Sequence, residues 1–270
     1  MHCVRGGNVK DYIAVAREAA LKAGKLLREN ISGNRQIIYK GDINLVTEMD
    51  MRSERAVVEV IRAAFPHHGI VAEEEIHFRN ASGFTWIIDP LDGTTNYAHG
   101  YPCFSVSIAL EQEGTIIAGV VYDPMREELF SAQTAQGAFL NGRKISVSST
   151  ETLIKSLLAT GFPYDRKVCE RNNLEYFRDL LMASQEIRRD GSAALDLCSV
   201  ACGRFDGFWE LKLKPWDVAA GSLIVSEAGG IVSDLSGRRF DMHAEEILAS
   251  NGRIHRQMIA TFQCVACRKG

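Results

Sequence analysis

The stretch Trp86-Ile87-Ile88-Asp89-Pro90-Leu91-Asp92-Gly93-Thr94-Thr95-Asn96 decides how the rest of the chain reads. Its three leading apolar residues make a short buried strand that delivers Asp89 at its end. Pro90 fixes φ and forces a turn, Asp92 returns, and Gly93 permits tight backbone geometry. Thr94-Thr95-Asn96 are residues that start helices. Two carboxylates this close across a tight turn repel unless a cation lies between them. Hard oxygen ligands select Mg²⁺ or Mn²⁺ over zinc. The amides of Gly93, Thr94 and Thr95 would then cradle a phosphate at a helix N-terminus. The competing reading is an Asx-turn that caps a helix.

Two further acidic signals bear on that choice. Glu73-Glu74-Glu75 follow the apolar run Ile70-Val71-Ala72, and Trp216-Asp217-Val218-Ala219-Ala220-Gly221 sets an aspartate at the start of an apolar helix. Taken singly, these are a solvated acidic run and an ordinary N-cap. Taken together, three acidic sites at the ends of buried elements point to one metal cluster.

Working outward, apolar residues at helical spacing predict a helix over residues 11–29. A second helix is expected from Asp50, a good N-cap residue, to just before Pro66. Residues 40–47 between them read as a loop or hairpin. His67-His68 after Pro66 read as an exposed turn. Beyond the aspartate turn come β-rich runs at 104–112 and 115–123, joined at Glu113-Gly114, and a hairpin at Asn141-Gly142. After Ser148-Ser149 strands near 157–160, 206–210 and 231–233 alternate with helices near 170–183, 192–202 and 217–228. The expected organisation is an α+β part over 1–148, an α/β part over 149–262, and a tail at 263–270, with a cleft between the two parts.

Of the 270 residues, 46% are apolar and 24% charged, as in an ordinary globular protein. A net charge of −3 lacks the basic excess of a nucleic-acid binder. No apolar run approaches a membrane span, and residues 1–7 do not form a secretory signal, so a cytoplasmic chain without a membrane or nucleic-acid partner is expected. The cysteines, Cys3, Cys103, Cys169, Cys198, Cys202, Cys264 and Cys267, are scattered and odd in number, which predicts free thiols. There is no GxSxG elbow and no P-loop, and the histidines show no metal spacing on one element.

The segment 86–96 closely resembles the signature of the inositol monophosphatase family. The resemblance continues through residues 40–50, Ala72-Glu73-Glu74, Gly191-Ser192-Ala193-Ala194, Glu210, Trp216-Asp217 and Glu227-Ala228-Gly229-Gly230, in family order over about residues 8 to 262. It implies the layered αβαβα sandwich that this family shares with fructose-1,6-bisphosphatases. It also implies two or three Mg²⁺ per site, with Mn²⁺ as the substitute. One ion would take Glu73, Asp89 and the Leu91 carbonyl; another would take Asp89, Asp92 and Asp217. Three glutamates in a row leave Glu74 as the alternative to Glu73. Glu73 and Thr94 would orient the attacking water, with Thr94 paired to Asp50. Amides of Gly93 and Thr94 would hold phosphate oxygens, and Lys40 would lie near the metals. Gly191, Ser192, Ala193 and Glu210 would contact the polyol. Arg188 and Arg189 would either form salt bridges at a subunit interface or meet a second phosphate.

The activity so implied is hydrolysis of a phosphorylated polyol, first myo-inositol 1-phosphate, by a homodimer sensitive to Li⁺. Fructose-1,6-bisphosphatase, histidinol-phosphate and NADP(H) phosphatase activities are the enzyme alternatives. A role in transcription antitermination is the alternative from another class.

Overall fold

The computed structural model describes residues 11–32, 37–39, 45–74, 77–78 and 82–269, with the backbone alone at 37–39, 45–47 and 266–269. The first elements are α1 (Tyr12–Asn30), β1 (Ile37–Tyr39), β2 (Leu45–Thr47), α2 (Glu48–Ala64), β3 (Gly69–Ala72), β4 (His77–Phe78), β5 (Phe84–Asp92) and α3 (Thr94–His99). Four hairpin-connected strands and a two-residue edge follow: β6 (Ser105–Gln112), β7 (Thr115–Asp123), β8 (Glu128–Gln133), β9 (Gly137–Leu140) and β10 (Arg143–Lys144). The rest comprises β11 (Leu157–Thr160), α4 (Leu174–Ala183), β12 (Glu186–Arg188), α5 (Ala193–Ala201), β13 (Gly207–Leu211), α6 (Pro215–Glu227), β14 (Ile231–Ser233), β15 (Glu246–Ser250) and α7 (His255–Lys269).

Eight strands form one sheet in the order β10-β9-β8-β7-β6-β5-β3-β4, and five form a second, β12-β11-β13-β15-β14. Strict alternation builds the layers. Trp86 and Ile88 of β5 enter a core under α1 and α2, while Ile87 enters the opposite core with α5 and α6. On the second sheet Phe208 faces α5 and α6, whereas Trp209 and Leu211 face a third core under α4 and α7. Helix pair, sheet, helix pair, sheet and helix pair are stacked in that order, the αβαβα sandwich that the resemblance implied. The stripe Ala16, Ala19, Ala20 and Ala23 lets α1 lie close on the first sheet. Among the described residues no helix is long and apolar enough to cross a membrane.

The turns at Glu113-Gly114 and Asn141-Gly142 have positive φ at both residues, as hairpins of this type require. Several expectations are corrected. Helix α2 starts at Glu48, and Asp50 lies inside its first turn rather than capping it, with its Oδ1 accepting from the Thr94 hydroxyl. Strand β5 does not end at Asp89. It runs to Asp92, and its pairing with β6 shifts register between Asp89 and Asp92. Pro90 has no amide to offer the ladder and fits this bulge. His68 is not an exposed turn residue: it stacks on Phe65 and Phe84 at 4.8 Å each and accepts a hydrogen bond from Trp86 Nε1. Strands β12 and β15 and helix α7 were not foreseen, and residues 263–269 continue α7 instead of trailing as a tail. Cys103, Cys169, Cys198, Cys202 and Cys264 are free thiols, as expected.

Candidate active site

The bulge in β5 sets the site. With strand geometry broken after Asp89, the Leu91 amide turns back and donates to Asp89 Oδ1 at 3.0 Å. An Asx-turn is therefore present, but it caps nothing: α3 begins behind Gly93, with no side-chain cap. Gly93 has φ 93°, and a Cβ there would lie 3.0 Å from the Cys103 carbonyl, so only glycine turns the chain from strand to helix at this point.

Asp92 is held from far along the chain. Its Oδ2 accepts from the Ser192 hydroxyl and, at 2.9 Å, from the Ala194 amide, so it also caps α5. Asn96 completes the clasp, its Nδ2 donating to the Asp190 and Cys103 carbonyls at 2.7 Å each. Asp217 is not the N-cap of α6 but its third residue, and its Oδ2 accepts from the Lys214 amide at 2.6 Å. The Ser107 hydroxyl donates to the Trp216 carbonyl at 3.3 Å and ties this helix start to β6. On the other flank the Glu74 amide donates to Glu54 Oε2 at 2.9 Å, anchoring the acidic run.

These elements converge on one cavity of about 980 Å³. Glu73, Asp89, Leu91, Asp92, Gly93, Thr94, Gly191, Ala193, Glu210 and Asp217 all line it. Glu73 does so and Glu74 does not, which favours Glu73 of the two. Ser192 stands behind the wall, bonded to Asp92. Asp50 stands behind Thr94, whose hydroxyl lies 3.0 Å from Asp50 Oδ1 and 3.1 Å from the Leu91 carbonyl. One hydroxyl hydrogen serves one of these acceptors at a time. Lys40 lies outside the described residues. Arg189 lines the cavity, while the Arg188 guanidinium donates to the Ile187 carbonyl.

Asp89 is 1% exposed. Burial first, and then the charges of Glu73, Asp92 and Asp217, push its carboxyl well above the usual range. Burial also pushes Asp217 up to about 7, with Asp92 adding to the effect and the Lys214 amide and Asp89 opposing it through hydrogen bonds. Asp92 is raised by burial and eased by its bonds from Ser192 and the α5 amides. Carboxylates that drive one another toward protonation are what a hard divalent cation neutralises. Among the described residues no three acidic, cysteine or histidine groups close into a ready-made cage. They stand around an open cavity instead, which suits a cation that keeps part of its water shell.

Sequence reasoning missed three residues here. Tyr164 is half-exposed on the cavity wall, and burial, with the charges of Glu73, Asp217 and Asp92, pushes its phenol up to about 12. Asn173 donates to the Gly161 carbonyl at 2.6 Å and accepts from Trp209 Nε1, fixing the loop after β11. Asp196 reads in sequence as one polar helix position, yet it lies on the cavity wall.

A sequence profile described as the inositol monophosphatase family matches residues 8–266. An inositol-1-monophosphatase of Synechocystis is 47% identical over 253 residues, spanning 93% of this chain and 88% of that protein. A protein of Neisseria meningitidis described as a putative Nus factor SuhB is 42% identical, spanning 92% and 96%. The solved inositol monophosphatase of Anabaena (Nostoc) superposes with a TM-score of 0.87 at 44% identity, covering 95% of this chain and 97% of that one. Carboxylates around a cavity, the five-layered fold and similarity over nearly the whole length agree: the chain belongs to the inositol monophosphatase family and is a phosphatase.

Proposed function

We propose that the chain hydrolyses the phosphate monoester of a polyol, myo-inositol 1-phosphate before others, with Mg²⁺ as its cofactor. The observation that carries this is the convergence of Glu73, Asp92 and Asp217 on buried Asp89, at one end of a cavity with Glu210 on its wall. Glu73, Asp89, Asp92, Asp217 and the Leu91 carbonyl are the oxygens that would hold two or three ions. Mg²⁺ bound there supplies positive charge for the phosphate and acidifies water toward neutral pH.

The chain's own groups do the rest. Asp50 accepts the Thr94 hydrogen, which leaves a Thr94 lone pair to receive a hydrogen from the attacking water. Glu73 accepts the proton that this water gives up. The Gly93 and Thr94 amides hold phosphate oxygens at the start of α3. Gly191, Ala193 and Glu210 receive the alcohol, while Ser192, expected among them, stands behind the wall with its hydroxyl given to Asp92. The homodimer and the cytoplasmic setting belong to the same proposal.

Phosphate release from inositol 1-phosphate, fructose 1,6-bisphosphate, histidinol phosphate and NADP is the test. The first is expected to show the highest kcat/KM, and EDTA is expected to abolish turnover of all four. A preference for the bisphosphate would shift the reading to Arg189, which lines the cavity along with Arg166, Lys212 and Lys214. Turnover that survives EDTA would remove the metal from the scheme. Similarity to a protein described as a Nus factor carries the other reading, binding to the transcription machinery. It requires recovery of RNA polymerase on the immobilised chain.

Gly161 offers a second check. A Cβ there would lie 2.0 Å from Glu210 Oε1. The carboxylate is the mobile end of its side chain, so it would move before the backbone does. Gly161→Ala is expected to raise KM for inositol 1-phosphate about tenfold, with kcat changed much less. An unchanged KM would detach Glu210 from substrate binding.

A further inference from the structure

Asp196 sits in the first turn of α5, 2% exposed, on the same helix face as Ala193 and on the cavity wall. Buried carboxylates ordinarily have donors; Asp92, a helix turn away, has the Ser192 hydroxyl and the Ala194 amide. The Asp196 carboxyl accepts no hydrogen bond from any described residue, and neither does that of Glu210, which is 9% exposed. The charge of Glu210 acts on Asp196, and Arg189 offsets both acids. This part of the wall therefore holds two buried carboxyls with their acceptor oxygens unmatched.

The chemistry of the missing partner is constrained. A second phosphate would face Asp196, Glu210 and Asp190 against the single charge of Arg189. A cation would compete with Arg189, whose charge already offsets both carboxyls. Neutral hydroxyl groups supply hydrogens without bringing charge.

We propose that Asp196 is a specificity residue for the alcohol half of the substrate, accepting a hydrogen bond from a ring hydroxyl beside Glu210. This rests on the phosphatase reading above and narrows it to polyol monophosphates. A site built to accept from a hydroxyl discriminates strongly against an ester that lacks one, because its buried acceptors are then left unpaired.

The test compares myo-inositol 1-phosphate with cyclohexyl phosphate, a ring of the same size without hydroxyls, on the Mg²⁺-loaded full chain. Wild type is expected to favour the polyol ester. Asp196→Asn keeps the shape but removes the charge and turns one acceptor oxygen into a donor NH₂, and it is expected to lower the ratio of the two kcat/KM values at least about tenfold, mostly through KM for the polyol ester. Asp196→Ser, smaller and still able to accept, is expected to fall between, and it replaces the asparagine variant should that one not fold. Equal losses on both esters, or an unchanged ratio, would overturn the proposal and leave Asp196 a structural acid. A wild type that cleaves cyclohexyl phosphate but not the polyol ester would overturn it while the phosphatase reading stands. A wild type that cleaves neither would remove both.

Discussion

Asp92→Asn is expected to lower kcat on the order of a thousandfold while the chain still folds. Asp92 works in two directions. Its Oδ2 is filled by the Ser192 hydroxyl and the Ala194 amide, and its other oxygen is left for the cavity. An amide cannot reproduce both ends. If its oxygen keeps the Ala194 bond, its NH₂ points into the cavity, where a cation and a phosphate are to be bound. If the NH₂ faces Ala194 instead, two donors meet at a buried point, at a cost of about 1–2 kcal/mol. Either way, charge stabilisation is lost where the reaction needs it, and terms of this kind carry factors of roughly a hundred to a thousand each. Phosphate release at saturating Mg²⁺, together with the Mg²⁺ concentration for half-maximal rate, checks this. The concentration is expected to rise. A kcat near wild type would refute the role assigned to Asp92, and a lowered melting temperature without a shift in Mg²⁺ dependence would make that role structural.

Metal-free protein is expected to lose thermal stability as pH rises from about 5 to 8, and Mg²⁺ is expected to restore it. Asp217 in the folded chain titrates at about 7, against about 3.9 for a free aspartate. Between these values the folded state binds a proton that the unfolded state has released. A raised acid of this kind stabilises fully below the unfolded value and ceases to do so as pH rises through the folded one. The slope is at most about 1.4 kcal/mol per pH unit for each such proton. Asp89 is shifted in the same direction, and so is Glu210, at about 8. Asp217 opens onto the cavity, so water tempers its share. The combined loss is on the order of a few kcal/mol, several degrees in melting temperature for a chain of this size. A bound cation replaces the protons and flattens the slope. Melting curves at several pH values, with chelator or with Mg²⁺, read this directly. A metal-free curve that does not move with pH would show that these carboxyls are not pressed together.

Several parts of this molecule were legible one segment at a time. The β-rich runs at 104–112 and 115–123 announced β6 and β7, and Glu113-Gly114 announced the turn between them. The alanine stripe announced α1. The acidic residues at the ends of apolar runs announced the site. What escaped was short or ambiguous. Strand β12 has three residues, and β15 carries only three apolar residues, too short a run to tell strand from helix. Helix α7 carries polar and sulfur-bearing residues around much of its circumference. The resemblance to a family added residue roles that periodicity does not contain, among them the pairing of Thr94 with Asp50, and those two side chains do meet at 3.0 Å.

The sequence by itself determined the elements that deliver Asp89, Asp92 and Asp217, and the hard-oxygen character of the site they form. Those follow from residue types and spacings within a few positions, where sterics and side-chain period act. Only the tertiary structure decided that β5 bulges at Pro90, that one oxygen of Asp92 is taken by a helix a hundred residues away, that Glu73 rather than Glu74 lines the cavity, and that Asp196 is buried without a donor. Burial and electrostatic pressure are sums over groups distant in the chain, so no local pattern encodes them, and they take their values only once the layers have closed.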